Sequence, residues 1–293
     1  MHKAGFINII GNPNAGKSTL MNAFLDQKLS IISAKAQTTR HRIFGIYNTP
    51  DVQAVFSDTP GIIKPDYPLQ ERMMDATNST FEDADILLLL VAVDDFQEFE
   101  ENIWRRILNF SGKLLVVLNK IDLSNQKDLA QLASSWQEKL PKAEVWSISA
   151  TESFRVLELR NRIISLLPEH PPFFSKDQIT DKPERFFVNE AVREQILLRY
   201  QKEIPYAVEV LTEQFEETEN IIRIRSVILV ERNSQKGIIV GSRGSAIKHV
   251  GIEARKTLET FFEKKIHLEL FVKVNKNWRS NHTQLKRFGY SSS

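Results

Sequence analysis

Short apolar runs alternate with amphipathic segments through the first half of this 293-residue chain. Residues 6–10, 43–47, 52–56, 86–93, 114–118 and 145–148 form apolar stretches of strand length, mostly unbroken. Runs of this kind suit strands covered on both faces. Helix-like periodicity fills the gaps at residues 18–25, 102–108, 129–140 and 156–167. The alternation predicts an α/β domain over residues 1–168, with a doubly wound, mostly parallel sheet. Only Asn48, Thr49, Pro50 and Asp51 separate the second and third runs, so a hairpin makes one strand antiparallel.

The pattern then changes. Pro168, Pro171, Pro172 and Pro183 punctuate a polar stretch, and proline denies both helix and sheet a donor. Residues 169–185 therefore read as a linker. Beyond it the order is helix 184–199, strands 206–215 and 221–231, helix 246–262 and strand 266–274. This predicts a small α+β domain over 186–275, followed by a basic tail over 276–293.

Composition narrows the class. Hydrophobic content of 42% and charged content of 26% are those of an ordinary globular chain. The absence of cysteine excludes disulfides, thiolate metal sites and cysteine nucleophiles, and fits a reducing compartment. No apolar run reaches membrane-spanning length, and the N-terminus runs straight into a strand rather than a signal peptide. The net charge is only +2, so any basic surface must be local.

Gly11, Asn12, Pro13, Asn14, Ala15, Gly16, Lys17 and Ser18 have the spacing of a phosphate-binding loop, with Thr19 entering the helix that follows. Glycines let successive backbone N–H groups face one concavity, and the helix N-terminus adds its positive end. Lys17 can reach β- and γ-phosphates, and Ser18 can place a hydroxyl on Mg²⁺. Asp58, Thr59, Pro60 and Gly61 follow the third strand; the carboxylate suits a Mg²⁺ ligand acting through water, and the Gly61 N–H a γ-phosphate. Between the first helix and second strand, Gln37, Thr38, Thr39, Arg40 and His41 form a loop. Thr39, with Thr38 as the alternative, can complete the Mg²⁺ shell when the γ-phosphate is present.

Asn119, Lys120, Ile121 and Asp122 end the fifth strand. A carboxylate accepts two hydrogen bonds at once, which matches the paired donors of guanine and rejects adenine. Ser149 and Ala150 end the last strand of the domain, where small side chains let backbone N–H groups approach O6 of the base. In the second domain Gly241, Ser242, Arg243 and Gly244 sit between two helical segments, the geometry with which a GXXG loop clamps a nucleic-acid backbone. Between Lys236 and Lys256 the only acid is Glu253, and the tail from Lys276 has none. Lys236, Arg243, Lys248 and Arg279 are thus the candidate RNA-facing cations. Trp278, Phe288 and Tyr290 interleave with the tail charges, either stacking on bases or, as is commoner for aromatics, packing onto the domain. Glu209, Glu213, Glu216, Glu217 and Glu219 are expected on a solvated face.

The first-domain motifs resemble, in order and residues, those of the translation-factor-related GTPases. The second domain is similar to type II KH domains. Together, over essentially the whole chain, they resemble the Era-type GTPases, bacterial ribosome-assembly proteins. The resemblance implies guanine contact by Asn119 and Asp122, with the Lys120 stem along the base. It also implies hydrolysis of GTP to GDP with Mg²⁺, and binding near the 3′ end of 16S ribosomal RNA during 30S maturation. A cytoplasmic monomer with peripheral inner-membrane association is expected. The alternative is an RNA-binding protein whose guanine nucleotide is structural. One position departs from the Ras-like pattern: Ile62 stands where a glutamine would orient the attacking water. Turnover should then be slow and rest on Asn14, Lys17, Thr39 and Gly61. Related GTPases with an asparagine at the position of Asn14 use it to hold K⁺.

Overall fold

The computed structural model describes residues 1–94 and 98–290. The chain divides into two compact units, one of Met1–Asp66 and Gln70–Asp181, the other running from Lys182 and counting Tyr67–Leu69 with it.

The first unit is built on β1 (Lys3–Gly11), α1 (Lys17–Leu25), β2 (Ile43–Thr49), β3 (Val52–Asp58), α2 (Pro68–Asn78), α3 (Thr80–Asp83), β4 (Ile86–Ala92), α4 (Glu101–Leu108), β5 (Lys113–Asn119), α5 (Gln126–Lys139), β6 (Glu144–Ser147) and α6 (Val156–Leu166). Its sheet has the order β2-β3-β1-β4-β5-β6. β2 and β3 form the expected antiparallel hairpin, and the other neighbours are parallel. β4 is buried along its whole length, as its unbroken apolar run requires. From β1 the chain winds first toward β3 and then back to β4, so the switch point of the sheet lies at the carboxyl end of β1. That is where open α/β sheets form their ligand crevice.

α2 escapes the sequence pattern because polar residues complete its buried stripe. Gln70 and Thr77 are buried, as are Met73 and Met74. The Thr77 hydroxyl donates to the Pro60 carbonyl, and the Gln70 carboxamide oxygen accepts from the Asp66 N–H.

The proline-rich stretch is not a free linker through most of its length. Residues 178–181 run beside β2, the edge strand of the sheet, and Glu169 bridges to Lys3 of β1. The Ile46 N–H donates to the Ile179 carbonyl, and the Phe44 N–H to Asp181. The Gln53 side chain accepts from the N–H groups of Phe173 and Phe174. Phe173 packs on Phe6 with ring centroids 4.8 Å apart. Covering the unpaired donors of an edge strand removes an aggregation-prone surface, and the apolar pairs hold the cover in place.

The second unit contains α7 (Glu184–Arg199), β7 (Glu209–Glu217), β8 (Ile221–Val230), α8 (Asn233–Val240), α9 (Ser245–Phe262), β9 (Lys265–Val274) and α10 (His282–Arg287). The sheet order is β7-β8-β9, antiparallel then parallel. The parallel pair needs a crossover, which α8 and α9 supply. Val192 and Ile196 of α7 and Val250 and Ala254 of α9 close the core over Ile228, Val230 and Val272.

Most of the tail is folded: its aromatics take the commoner of their two expected roles, while Glu209 departs from its expected solvated face. Trp278 is fully buried, and its indole N–H donates to the Ala207 carbonyl. Tyr290 is buried with its hydroxyl on Glu209 at 2.8 Å, so neither Tyr290 nor Glu209 is solvated. Phe288 packs edge-on against Trp278. The aromatics therefore serve packing rather than base stacking. Glu213 and Glu217 do lie at the surface, paired with Lys273 and Lys264. Residues 291–293, the end of the expected tail, lie outside the described residues.

Candidate functional site: a nucleotide cleft and a GXXG surface

The carboxyl ends of β1, β3 and β5 converge because the parallel registers align Ile9 with Asp58, Gly11 with Leu90 and Ala92 with Asn119. Beyond them lies a cleft of about 470 Å³, lined by Pro13, Asn14, Gly16, Lys17, Ser18, Thr19, Thr39, Thr59, Gly61, Asn119, Lys120 and Asp122 among others. Every segment singled out in the first domain is brought to this end of the sheet.

The phosphate loop is strongly curved. Gly16 has φ 95°, and a Cβ there would lie 2.3 Å from Asn119 Nδ2. No other residue fits that approach. Lys17 is buried, and its ammonium donates to the carbonyls of Gly11 (3.0 Å) and Asn12 (2.8 Å). Burial lowers its pKa to about 8, with the Asp58 charge opposing the shift. Asn14 is exposed, with φ 61°, and its side chain makes no hydrogen bond among the described residues.

Three oxygens meet at the head of α1. The Ser18 hydroxyl donates to Asp58 Oδ2 at 2.6 Å and lies 3.0 Å from Thr39 Oγ1, which is itself 3.3 Å from Asp58 Oδ2. Asp58 is fully buried, and its Oδ1 has no hydrogen bond of good geometry. Burial raises the Asp58 pKa, against the Ser18 hydroxyl, the Lys17 charge and the Ser30 and Thr39 hydroxyls. Of the two threonines, Thr39 faces this cluster, whereas the Thr38 hydroxyl donates to the Lys35 carbonyl. An oxygen-only donor set with an under-satisfied buried carboxylate fits Mg²⁺.

At the base end Asn119 is buried. Its amide donates to the Ala15 carbonyl at 2.8 Å, and its oxygen accepts from the Ala150 N–H at 3.0 Å. It therefore stitches the phosphate loop to the Ser149–Ala150 turn and keeps one N–H for a base. Asp122 is exposed in a short 3₁₀ turn, Ile121–Leu123, after Lys120, which has φ 64°. Asp94 holds the Lys120 ammonium at 3.0 Å, a partner that sequence reasoning did not identify. Ser149 is buried. Ile62 packs into the core beside Ile10 and Met74, with its N–H on the Gly11 carbonyl.

In the second unit Gly241 (φ 70°) ends α8 and Gly244 (φ 77°) precedes α9. A Cβ on Gly241 would lie 2.6 Å from that of Ala246, so the tight turn requires glycine. Ser242 and Arg243 are exposed at its tip. Lys236, Arg243 and Lys248 are exposed and carry no ion pair among the described residues. Arg279 departs from expectation: it is half-buried and committed to Glu231. Beside the loop, Ile247, Gly251, Ile252, Leu268 and Leu270 line a groove of about 270 Å³ between α9 and β9. Sequence reading missed it, although the exposed side of α9 carries Gly251 and Ile252 among polar residues.

Comparison with known proteins agrees with both halves. A family model described as a 50S ribosome-binding GTPase matches residues 6–120, and a KH-domain model matches residues 203–279. The chain is 43% identical to GTPase Era of Lacticaseibacillus paracasei over 99% of this chain and 98% of the relative. It is 44% identical to GTPase Era of Syntrophus aciditrophicus over 99% and 96%. Among solved structures, Era in complex with MgGDPNP and nucleotides 1506–1542 of 16S ribosomal RNA superposes with a TM-score of 0.93 at 35% identity, covering 99% of this chain and 100% of that one. A variant of Aquifex aeolicus Era bound to GDP·AlF4⁻ gives the same score and identity over 99% of each chain. With a guanine-nucleotide cleft ahead of a GXXG-bearing KH domain and these full-length relatives, the chain belongs to the Era family of GTPases.

Proposed function

We propose that this GTPase binds the 3′ region of small-subunit ribosomal RNA through its KH surface during 30S maturation, and that the guanine nucleotide governs that binding. The observation that carries this reading is the exposed GXXG turn with three exposed cations, Lys236, Arg243 and Lys248, that carry no ion pair among the described residues. A relative of the same architecture has been solved with nucleotides of 16S ribosomal RNA and MgGDPNP. Backbone N–H groups and cations at the turn take phosphates, and the apolar groove beside it accepts bases.

In the nucleotide cleft, Ser18, Thr39 and Asp58 would hold Mg²⁺, which supplies charge neutralisation on the phosphates. Lys17 leaves its two loop carbonyls to bind the β- and γ-phosphates, and the loop's backbone N–H groups complete the cradle. Asp122 accepts from N1–H and the exocyclic amine of guanine, and Asn119 gives its remaining N–H to the base. Gly61 offers its N–H to the γ-phosphate. Ile62 cannot orient water, so intrinsic hydrolysis is slow. The exposed, left-handed Asn14 is the residue we assign to a stimulating K⁺; equal turnover in K⁺ and Na⁺ would remove that assignment. The site of action is the cytoplasm, where small subunits are assembled. Any inner-membrane association would be peripheral, because no helix among the described residues is long and apolar enough to cross a membrane.

Crosslinking in cells tests the RNA reading. RNA recovered with the wild-type chain should be enriched in the 3′ end of small-subunit ribosomal RNA, and a Lys236→Glu/Arg243→Glu/Lys248→Glu variant should lose it. Recovery of unrelated RNAs alone would reject it.

A further inference from the structure

A second cavity, of about 600 Å³, lies in the first unit between α2 and α4. α2 presents Glu71, Met74, Asp75 and Asn78 to it, positions that share one face of a helix. Its floor is apolar: Ile62, Met74, Phe99 and Ile103 all belong to the buried core cluster. Asn78 is held in place by Arg106, whose guanidinium donates to its carbonyl and side chain. The rim is acidic. Glu71, Asp75, Glu98 and Glu100 line it, and Lys64 is the one cation among the described lining residues. Asp75 is paired with Arg72, whereas Glu71, Glu98 and Glu100 are exposed and carry no ion pair among the described residues. The rim repels a nucleic-acid backbone, so this cavity cannot extend the RNA surface. Pro13 of the phosphate loop lines both this cavity and the nucleotide cleft.

We infer that this groove docks a basic protein segment carrying an apolar anchor, and that its occupancy is felt at the nucleotide through Pro13. The anchor fills the apolar floor, while lysine or arginine side chains meet the three uncompensated carboxylates. Charge complementarity of this kind selects partners by sign. The occupied groove stiffens the phosphate loop from behind and slows nucleotide release.

The test uses the full chain loaded with fluorescent mant-GDP. The probe is a fluorescein-labelled nonapeptide of alternating lysine and leucine, with a glutamate-for-lysine peptide as control. The lysine peptide should bind saturably and the control should not. A Glu71→Gln/Glu98→Gln/Glu100→Gln variant should weaken binding about tenfold at low salt. A charge-matched Asp51→Asn/Glu138→Gln/Glu158→Gln variant, altered far from the groove, should bind as the wild type does. At saturation the peptide should slow mant-GDP release at least about twofold. Equal weakening by both variants, or binding of the control peptide, would overturn the docking site. Binding with an unchanged release rate would overturn the coupling.

Discussion

Asn119 Nδ2 donates to the carbonyl of Ala15 across 2.8 Å, joining residues 104 positions apart in the chain. The same side chain accepts from the Ala150 N–H. One amide thus fixes the phosphate loop against the base-recognition turn. Asn119→Ala leaves two buried backbone groups without partners, at a cost of about 1–3 kcal/mol. Mant-GDP affinity should fall by roughly 10–100-fold with GDP and GTP affected alike. An unchanged affinity would mean that the two loops hold their places without the bridge.

Asp122 is exposed in the cleft and pairs with no cation among the described residues, so it is available to a base. Asp122→Asn replaces one acceptor with a donor. Xanthine nucleotides, which carry an oxygen in place of the exocyclic amine, should then compete better than guanine nucleotides, with GDP affinity down by at least about 100-fold. Direct titration with GDP and XDP gives the answer. Retained guanine preference would place base recognition elsewhere.

Lys17 predicts a proton signature. Its folded-state pKa of about 8 lies below the ordinary 10.5. Between those values the unfolded chain binds more protons, so the stability of the nucleotide-free protein should rise with pH there. Phosphate charge restores the ammonium, so GDP binding at pH 8 should take up about half a proton. Calorimetry in buffers of different ionisation enthalpy measures this, and Lys17→Met should abolish it. Asp58 works in the opposite sense. Burial raises its pKa, so acidification protonates it before an exposed carboxylate and should weaken Mg²⁺ binding first.

Ile62 lies in the core with its N–H on Gly11. Ile62→Gln should therefore not create a fast GTPase. It should destabilise the first unit by about 1–3 kcal/mol by burying a carboxamide. Single-turnover hydrolysis and thermal unfolding separate the outcomes. A rate gain of several-fold would show that the side chain can swing toward water.

The sequence was most legible where geometry is local. A strand, a glycine-bearing loop and a helix are contiguous, so Gly11 to Ser18 could be placed and their role inferred from spacing alone. Thr39 could be named over Thr38 only as a preference; the loop fold then brought it to Ser18 and Asp58. What escaped depends on partners distant in sequence. Charge counting made Arg279 a free cation, but Glu231, 48 residues away, claims it. Proline content made residues 169–181 a spacer, but β1, Gln53 of β3 and the open edge of β2 supplied partners that ordered them. α2 was hidden because buried Gln70 and Thr77 interrupt the apolar period that a sequence can display. The acids of β7 divided the same way: Glu213 faces water, while Glu209 meets Tyr290.

The central claim is that the guanine cleft controls the KH surface. The direct measurement is the affinity of the full chain for the 3′-terminal segment of 16S ribosomal RNA, titrated once with GDPNP and once with GDP at fixed Mg²⁺ and salt. We predict binding at least about tenfold tighter with GDPNP, a coupling of about 1.4 kcal/mol, with the difference lost in Thr39→Ala. Equal affinities in the two nucleotide states would contradict it.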